Sequence, residues 1–92
     1  MVYIDEVRKT RGSDGYDVIT HVCCTRYMSL KATDWKTKAW MIDFIKRNPS
    51  ESVKTKYRRG TTWVEGEDVR VIDDEFLRTD ANHTRRDNLG EL

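Results

Sequence analysis

No run in this chain approaches the roughly eighteen consecutive apolar residues of a membrane span, and Met1-Val2-Tyr3-Ile4-Asp5 lacks the basic start and apolar stretch of a signal peptide. A cytoplasmic location without membrane contact is therefore expected. Cysteine occurs only twice, as the neighbours Cys23 and Cys24. In an extended strand their side chains point to opposite faces, and a bridge between them would close a strained ring, so a disulfide staple is excluded. Two reduced thiols fit a reducing compartment. There is no Gly-rich phosphate loop, no Ser-containing elbow and no C-x-x-C knuckle. The usual signals of nucleotide binding, acyl transfer and structural zinc are thus missing. Neither an internal repeat nor a low-complexity tract occurs.

What is present is a chain of 92 residues, read as one domain over residues 1–92. A domain of this size buries roughly 60 to 65 per cent of its unfolded surface and has no room for a deep, dry cavity, which disfavours catalysis on large substrates. It is polar, with 36% charged residues, yet three Trp, four Tyr and two Phe give it more aromatic content than disordered chains carry, so it should fold.

The clearest local pattern is a helix from Lys38 to Asn48. Thr37 supplies an N-cap hydroxyl for a first-turn amide. Trp40, Met41, Phe44 and Ile45 recur at helical spacing, with Ile42 widening the stripe. Lys46 and Arg47 suit the carbonyl end of the dipole, and Pro49, the single proline, stops the helix. A helix this short needs an apolar surface to cover.

The flanks supply strands. Met1 to Lys9 reads as a strand with its period disturbed near Glu6, and the turn-forming residues from Thr10 to Gly15 connect it to a second strand. In that strand, Asp17 to Tyr27, regular alternation sets Val18, Thr20, Val22, Cys24 and Arg26 against Ile19, His21, Cys23, Thr25 and Tyr27. Apolar groups on both faces suggest a central position. Met28 to Lys36 is a polar connection in which Trp35 folds back on the helix start as a staple. Val53, Thr55 and Tyr57 face inward, and Lys54, Lys56 and Arg58 line an outer, basic face. Thr61 to Val64 and Val69 to Ile72 are strands around a turn at Glu65-Gly66-Glu67-Asp68, and Phe76 to Thr79 is a last short strand or packed tail. The expected fold is α+β: a small antiparallel sheet of four to five strands with one α-helix packed on one face.

The stretches Val69-Arg70-Val71-Ile72, Leu77-Arg78-Thr79 and Asp87-Asn88-Leu89, together with Val18 to Val22 and the Thr37-capped helix, resemble the small bacterial and phage proteins of domain-of-unknown-function family 3892. The resemblance covers most of the chain and implies a fold and an origin. It brings no catalytic residue, because that family has no activity to transfer. The segments Met28 to Lys36 and Ser50 to Gly60 are longer or more basic here, and a role peculiar to this chain would reside there.

Three constellations carry candidate chemistry. Arg78, Thr79, Asp80, Asp87 and Asn88 offer a guanidinium fork for an anion and a carboxylate acid, base or orienting group. The commoner role for such residues is structural, with Arg78 pairing Asp87 to pin the tail. His21 and Cys23, two apart on a strand face, would need His83 and another ligand to hold zinc, and half-buried strand residues are the better account. A Cys nucleophile activated by His21 or His83 lacks an oxyanion hole. No cofactor or metal is expected, and the chain is read as no enzyme.

Charge is the more informative feature, for the formal total of +1 conceals two opposed blocks. Residues 26–59 carry ten basic and three acidic side chains, and residues 60–92 four basic and nine acidic. In the basic block Trp35, Trp40 and Tyr57 are interleaved with Lys54, Lys56, Arg58 and Arg59, a combination that follows phosphates and stacks on bases. Against this, the acidic block can fold back and neutralise the basic one. The sequence therefore points first to a non-enzymatic binding module acting through a protein partner, and second to a nucleic-acid-binding domain using residues 26–59. The candidate binding residues are Lys54, Lys56, Arg58, Arg59, Trp35, Arg78, Asp87 and Asn88. The sequence sets neither the partner nor the oligomeric state.

Overall fold

Thr37 ends a strand and begins a helix. Its hydroxyl accepts the Trp40 amide at 3.1 Å, and α1 (Lys38–Arg47) runs from there to Asn48, whose backbone and side-chain nitrogens both reach the Phe44 carbonyl. The structure is a computed structural model that describes residues 1–79, 87–90 and 92. Around the helix lie β1 (Val2–Arg11), β2 (Asp17–Thr25), β3 (Asp34–Thr37), β4 (Val53–Arg59), β5 (Thr62–Ile72) and β6 (Phe76–Thr79). They form one six-stranded sheet in the order β3-β2-β1-β4-β5-β6.

The sheet is mixed, where alternation alone predicted antiparallel pairing throughout. β1 pairs β4 in parallel, Val2 to Ile4 beside Val53 to Thr55, and the remaining named pairs are antiparallel. The cause is α1. A helix between two strands of one sheet is a crossover, which returns the second strand parallel to the first. β3 runs with β1, so β4 does too.

Three irregularities decide which residues face the helix. Asp5 is an extra residue opposite the Cys24–Cys23 step, so Val2, Ile4 and Val7 share the helix face despite their uneven spacing. This is the expected disturbance near Glu6. Thr20 is extra opposite the Arg8–Lys9 step, where its hydroxyl donates to the Arg8 carbonyl. It shifts the phase of β2 and sends Ile19 into the same core as Val22 and Cys24, correcting the strict alternation read for that strand. The third bulge is in β5, where Glu65 opposes Lys56 and Asp68 opposes Lys54. Glu65 to Asp68 are therefore continuous strand and no hairpin turn. The turn lies at Gly60, which takes φ +66, and a second tight turn at Asp73-Asp74, both at positive φ, returns β5 to β6.

The β5 bulge turns the sheet, since β5 pairs β4 through its first half and β6 through its second. The core lies on the helix side: Ile4, Ile19, Val22, Met41, Val53, Val69, Leu77 and Leu89 are buried, with Phe44 and Ile45 packed partly against them. Trp40, expected inside, is 42% exposed and stacks on Phe44 at 5.3 Å between ring centroids. Among the described residues no helix is long and apolar enough to cross a membrane.

Candidate functional site

The side chains of Lys54, Lys56 and Arg58 do share one face of β4, opposite α1, but that face is not open. The connection from Arg26 to Thr33 folds across it. The Ala32 amide donates to Asp5 Oδ2 at 2.7 Å, and Lys31 pairs Glu6 at 3.2 Å. Beneath this cover Lys56 is completely buried. Its ammonium donates to the carbonyls of Tyr27 (3.0 Å), Met28 (3.1 Å) and Leu30, and lies 4.2 Å from the centroid of Trp63. Burial pushes its pKa down, the nearby Asp5 acts in the opposite sense, and Arg58 adds to the lowering. The lysine's apolar stem fills the space, and its three N–H donors meet three acceptors.

Lys54 is held at 3.3 Å by Asp68, whose hydrogen bond raises the lysine's pKa. The acidic block thus neutralises the basic one here, and again where Lys46 meets Asp74 at 3.1 Å. What remains of the basic stripe is Arg58, exposed over the Trp63 ring at 4.8 Å; Arg59, also exposed, lies with Thr55 and Tyr57 along a different concavity. Among the described residues neither arginine is in an ion pair.

Trp35 is no staple on the helix. It belongs to β3, opposite Cys23 on the far face, with the Arg8 guanidinium 4.3 Å above its ring. Asp87 does pin the tail, but through Lys38 and not through Arg78. Its carboxylate accepts from the Leu77 amide (2.8 Å), the Ile19 amide (2.9 Å) and Lys38 Nζ (2.9 Å). Asn88 bridges alongside Arg78, its amide donating to the Leu77 carbonyl and its carbonyl accepting from the Thr79 amide. With both oxygens engaged by donors, Asp87 is built as a fastening. Cys23 and Cys24 are free and buried on opposite faces, and burial raises both thiols, away from the thiolate a nucleophile needs. His21 Nδ1 lies 3.0 Å from Thr20 Oγ1. Asp80, residues 81–86 and hence His83 lie outside the described residues.

The covering loop makes a broad concavity. Between Arg26-Tyr27-Met28-Ser29 and the β4–β5 hairpin at Thr61-Thr62-Trp63 runs an open groove of about 700 Å³, with Met1 and Tyr3 along its floor. Tyr27 is 65% exposed beside it, and Leu30 of the same loop is also exposed. Glu51 fixes one end, taking both the N-terminal ammonium and Arg26 at 2.8 Å, which lowers its carboxyl pKa. Tyr3 donates its hydroxyl to Glu65 at 3.3 Å.

No family model, curated protein or solved structure matches the chain.

Tyr27, Trp63 and Arg26 were outside the residues that the sequence singled out. Moving the hairpin turn from Glu65-Gly66-Glu67-Asp68 to Gly60 is what finds Trp63. It sets Arg58 opposite Trp63 and brings that pair to the tip, facing the loop.

Proposed function

We propose that this protein is a small non-enzymatic binding module that takes a protein partner in the groove between Tyr27 and Trp63. The observation that carries the reading is the combination at that groove of an exposed tyrosine and a tryptophan over whose ring the exposed Arg58 guanidinium lies at 4.8 Å. Aromatic and arginine side chains at a preformed concavity are what anchors protein interfaces. The charge at this end selects an acidic segment with an apolar anchor as the occupant. A cytoplasmic setting is part of the proposal and is supported by the two free buried thiols. So is a place beside the bacterial and phage proteins of family 3892, which rests on the likeness of the stretches Leu77-Arg78-Thr79 and Asp87-Asn88-Leu89 alone.

Single-stranded nucleic acid is the second reading, because arginine beside exposed rings also serves phosphate and base. The burial of Lys56 and the pairing of Lys54 with Asp68 speak for the protein partner ahead of it. The test is a displayed random-peptide selection on the immobilised protein, alongside binding to labelled random-sequence DNA and RNA from about 50 to 200 mM salt. Acidic peptides carrying an aromatic or aliphatic residue should be enriched and lost in Tyr27→Ala and Arg58→Glu. Enrichment indifferent to both changes overturns the groove, and steep salt-dependent nucleic-acid binding lost in Arg58→Glu/Arg59→Glu replaces the protein partner.

A further inference from the structure

The sheet has two ends, and among the described residues only one is covered. Beyond β6 the Arg78–Asn88 bridge continues the hydrogen bonding, whereas β3 has no neighbour on its outer side among the described residues. An open edge presents amides and carbonyls to any strand that fits. Shortness and charge are common means of blunting such an edge, and β3 has both, in four residues reading Asp34-Trp35-Lys36-Thr37. Its charges, however, are distributed symmetrically about Trp35.

Two copies laid antiparallel with Trp35 opposite Trp35 place Asp34 of each copy opposite Lys36 of the other. The strand is then its own electrostatic complement across a two-fold axis. A slip by one residue sets Asp34 against Thr37 and Trp35 against Lys36, and both attractions disappear. Within one copy Asp34 and Lys36 approach only to 3.8 Å, and the Asp34 side chain remains 65% exposed. Lys36 does not stand across the edge as a barrier, since its ammonium lies 4.6 Å over the Trp40 ring. The stacked pair of Trp40 and Phe44 forms an exposed apolar surface on the same side as those charges. A two-fold axis perpendicular to the sheet keeps both helices on that side, so a second copy would bring the two Trp40 surfaces toward each other.

We propose that β3 is a self-complementary edge on which a second copy of this chain docks, joining two six-stranded sheets across Trp35. This site is separate from the groove and does not depend on the function assigned to it. A contact between strands this short belongs to the small class of interfaces, below roughly 1,200 Å² in total, so the dimer forms reversibly with concentration.

Sedimentation equilibrium from micromolar to millimolar protein tests it with three variants, each checked for native circular dichroism. Asp34→Lys and Lys36→Asp each turn two attractions into two repulsions and should weaken dimerisation about tenfold or more. The exchange Asp34→Lys/Lys36→Asp restores complementarity and should recover most of the loss. A wild-type chain that stays monomeric at the highest concentration overturns the proposal. So does a dimer indifferent to the single reversals, and so does a folded double variant that fails to recover.

Discussion

Asp87 and Lys38 are 49 positions apart in sequence and 2.9 Å apart in space, and between them they close the fold. The same carboxylate takes the amide of Ile19 in β2 and that of Leu77 in β6, strands separated in the sheet by β1, β4 and β5. One side chain therefore joins the helix start to two distant strands over the core. Its own exposure is 1%, and that of the lysine is 17%.

Asp87→Asn should be strongly destabilising. An amide puts an NH₂ group against an N–H donor and leaves the half-buried Lys38 charge without a counter-ion, a loss of about 3 kcal/mol. Lys38→Met should cost less, about 1 kcal/mol, because the carboxylate keeps its two backbone donors. Urea unfolding of the single and double variants checks both, and the double should cost less than the sum. Strictly additive losses would mean that the pair does not act as a unit.

Gly66→Ala tests the bend in β5. A Cβ at Gly66 would run into Thr55 Oγ1 and stand 3.1 Å from the Thr55 carbonyl, and Thr55 Oγ1 is itself occupied as acceptor for the Glu67 amide at 3.2 Å. The substitution should cost about 2 kcal/mol, as overpacking against backbone does. Introduced into a Thr55→Ala background it should cost well under that, since the nearest obstacle is gone. Thermal melts of the four proteins give the comparison.

Most of the local structure could be read from single residues. Thr37, Pro49 and the apolar stripe set the helix, and the disturbance at Glu6 marked a real bulge. What escaped depended on pairing. Nothing in Asp17 to Tyr27 itself shows that Thr20 is skipped by its partner strand, and so Ile19 was assigned to the wrong face. The parallel pairing of β1 and β4 was legible in principle, because a helix between strands is a crossover. Lys56 illustrates the limit: a basic residue at an outward position in an alternating strand is exposed by default, and only the path of a distant loop buries it. The latch partner of Asp87 was similarly hidden, since the ion pair expected with Arg78 is local and the one formed with Lys38 is not.

Acid should loosen the region where residues 1 and 51 meet. The Glu51 carboxyl is held below its ordinary 4.5 by hydrogen bonds from the N-terminal ammonium and from Arg26. A depressed folded value means that the unfolded chain binds more protons in this window, so the contribution is full above 4.5 and is lost as pH falls through the folded value. Glu51→Gln removes the titration. The gap in melting temperature between wild type and variant should therefore be widest near neutrality and narrow progressively in acid. A constant gap would assign the difference to packing alone.

The buried lysine links the fold to the proposed groove. Lys56→Met retains an apolar stem of similar length, but leaves the carbonyls of Tyr27, Met28 and Leu30 without their shared donor. The cost should be about 2 kcal/mol. Its local signature should be faster amide exchange in residues 26–33, with β1 and β2 unchanged at their centres. Because Lys56 lies under the groove and is inaccessible to a ligand, weaker peptide binding in Lys56→Met could come only through the loop it fastens. Exchange in 26–33 that stays at the wild-type rate would show that the Asp5–Ala32 and Lys31–Glu6 contacts suffice to hold the loop. The three carbonyls would then be there to satisfy a buried ammonium, and the groove's shape would owe nothing to Lys56.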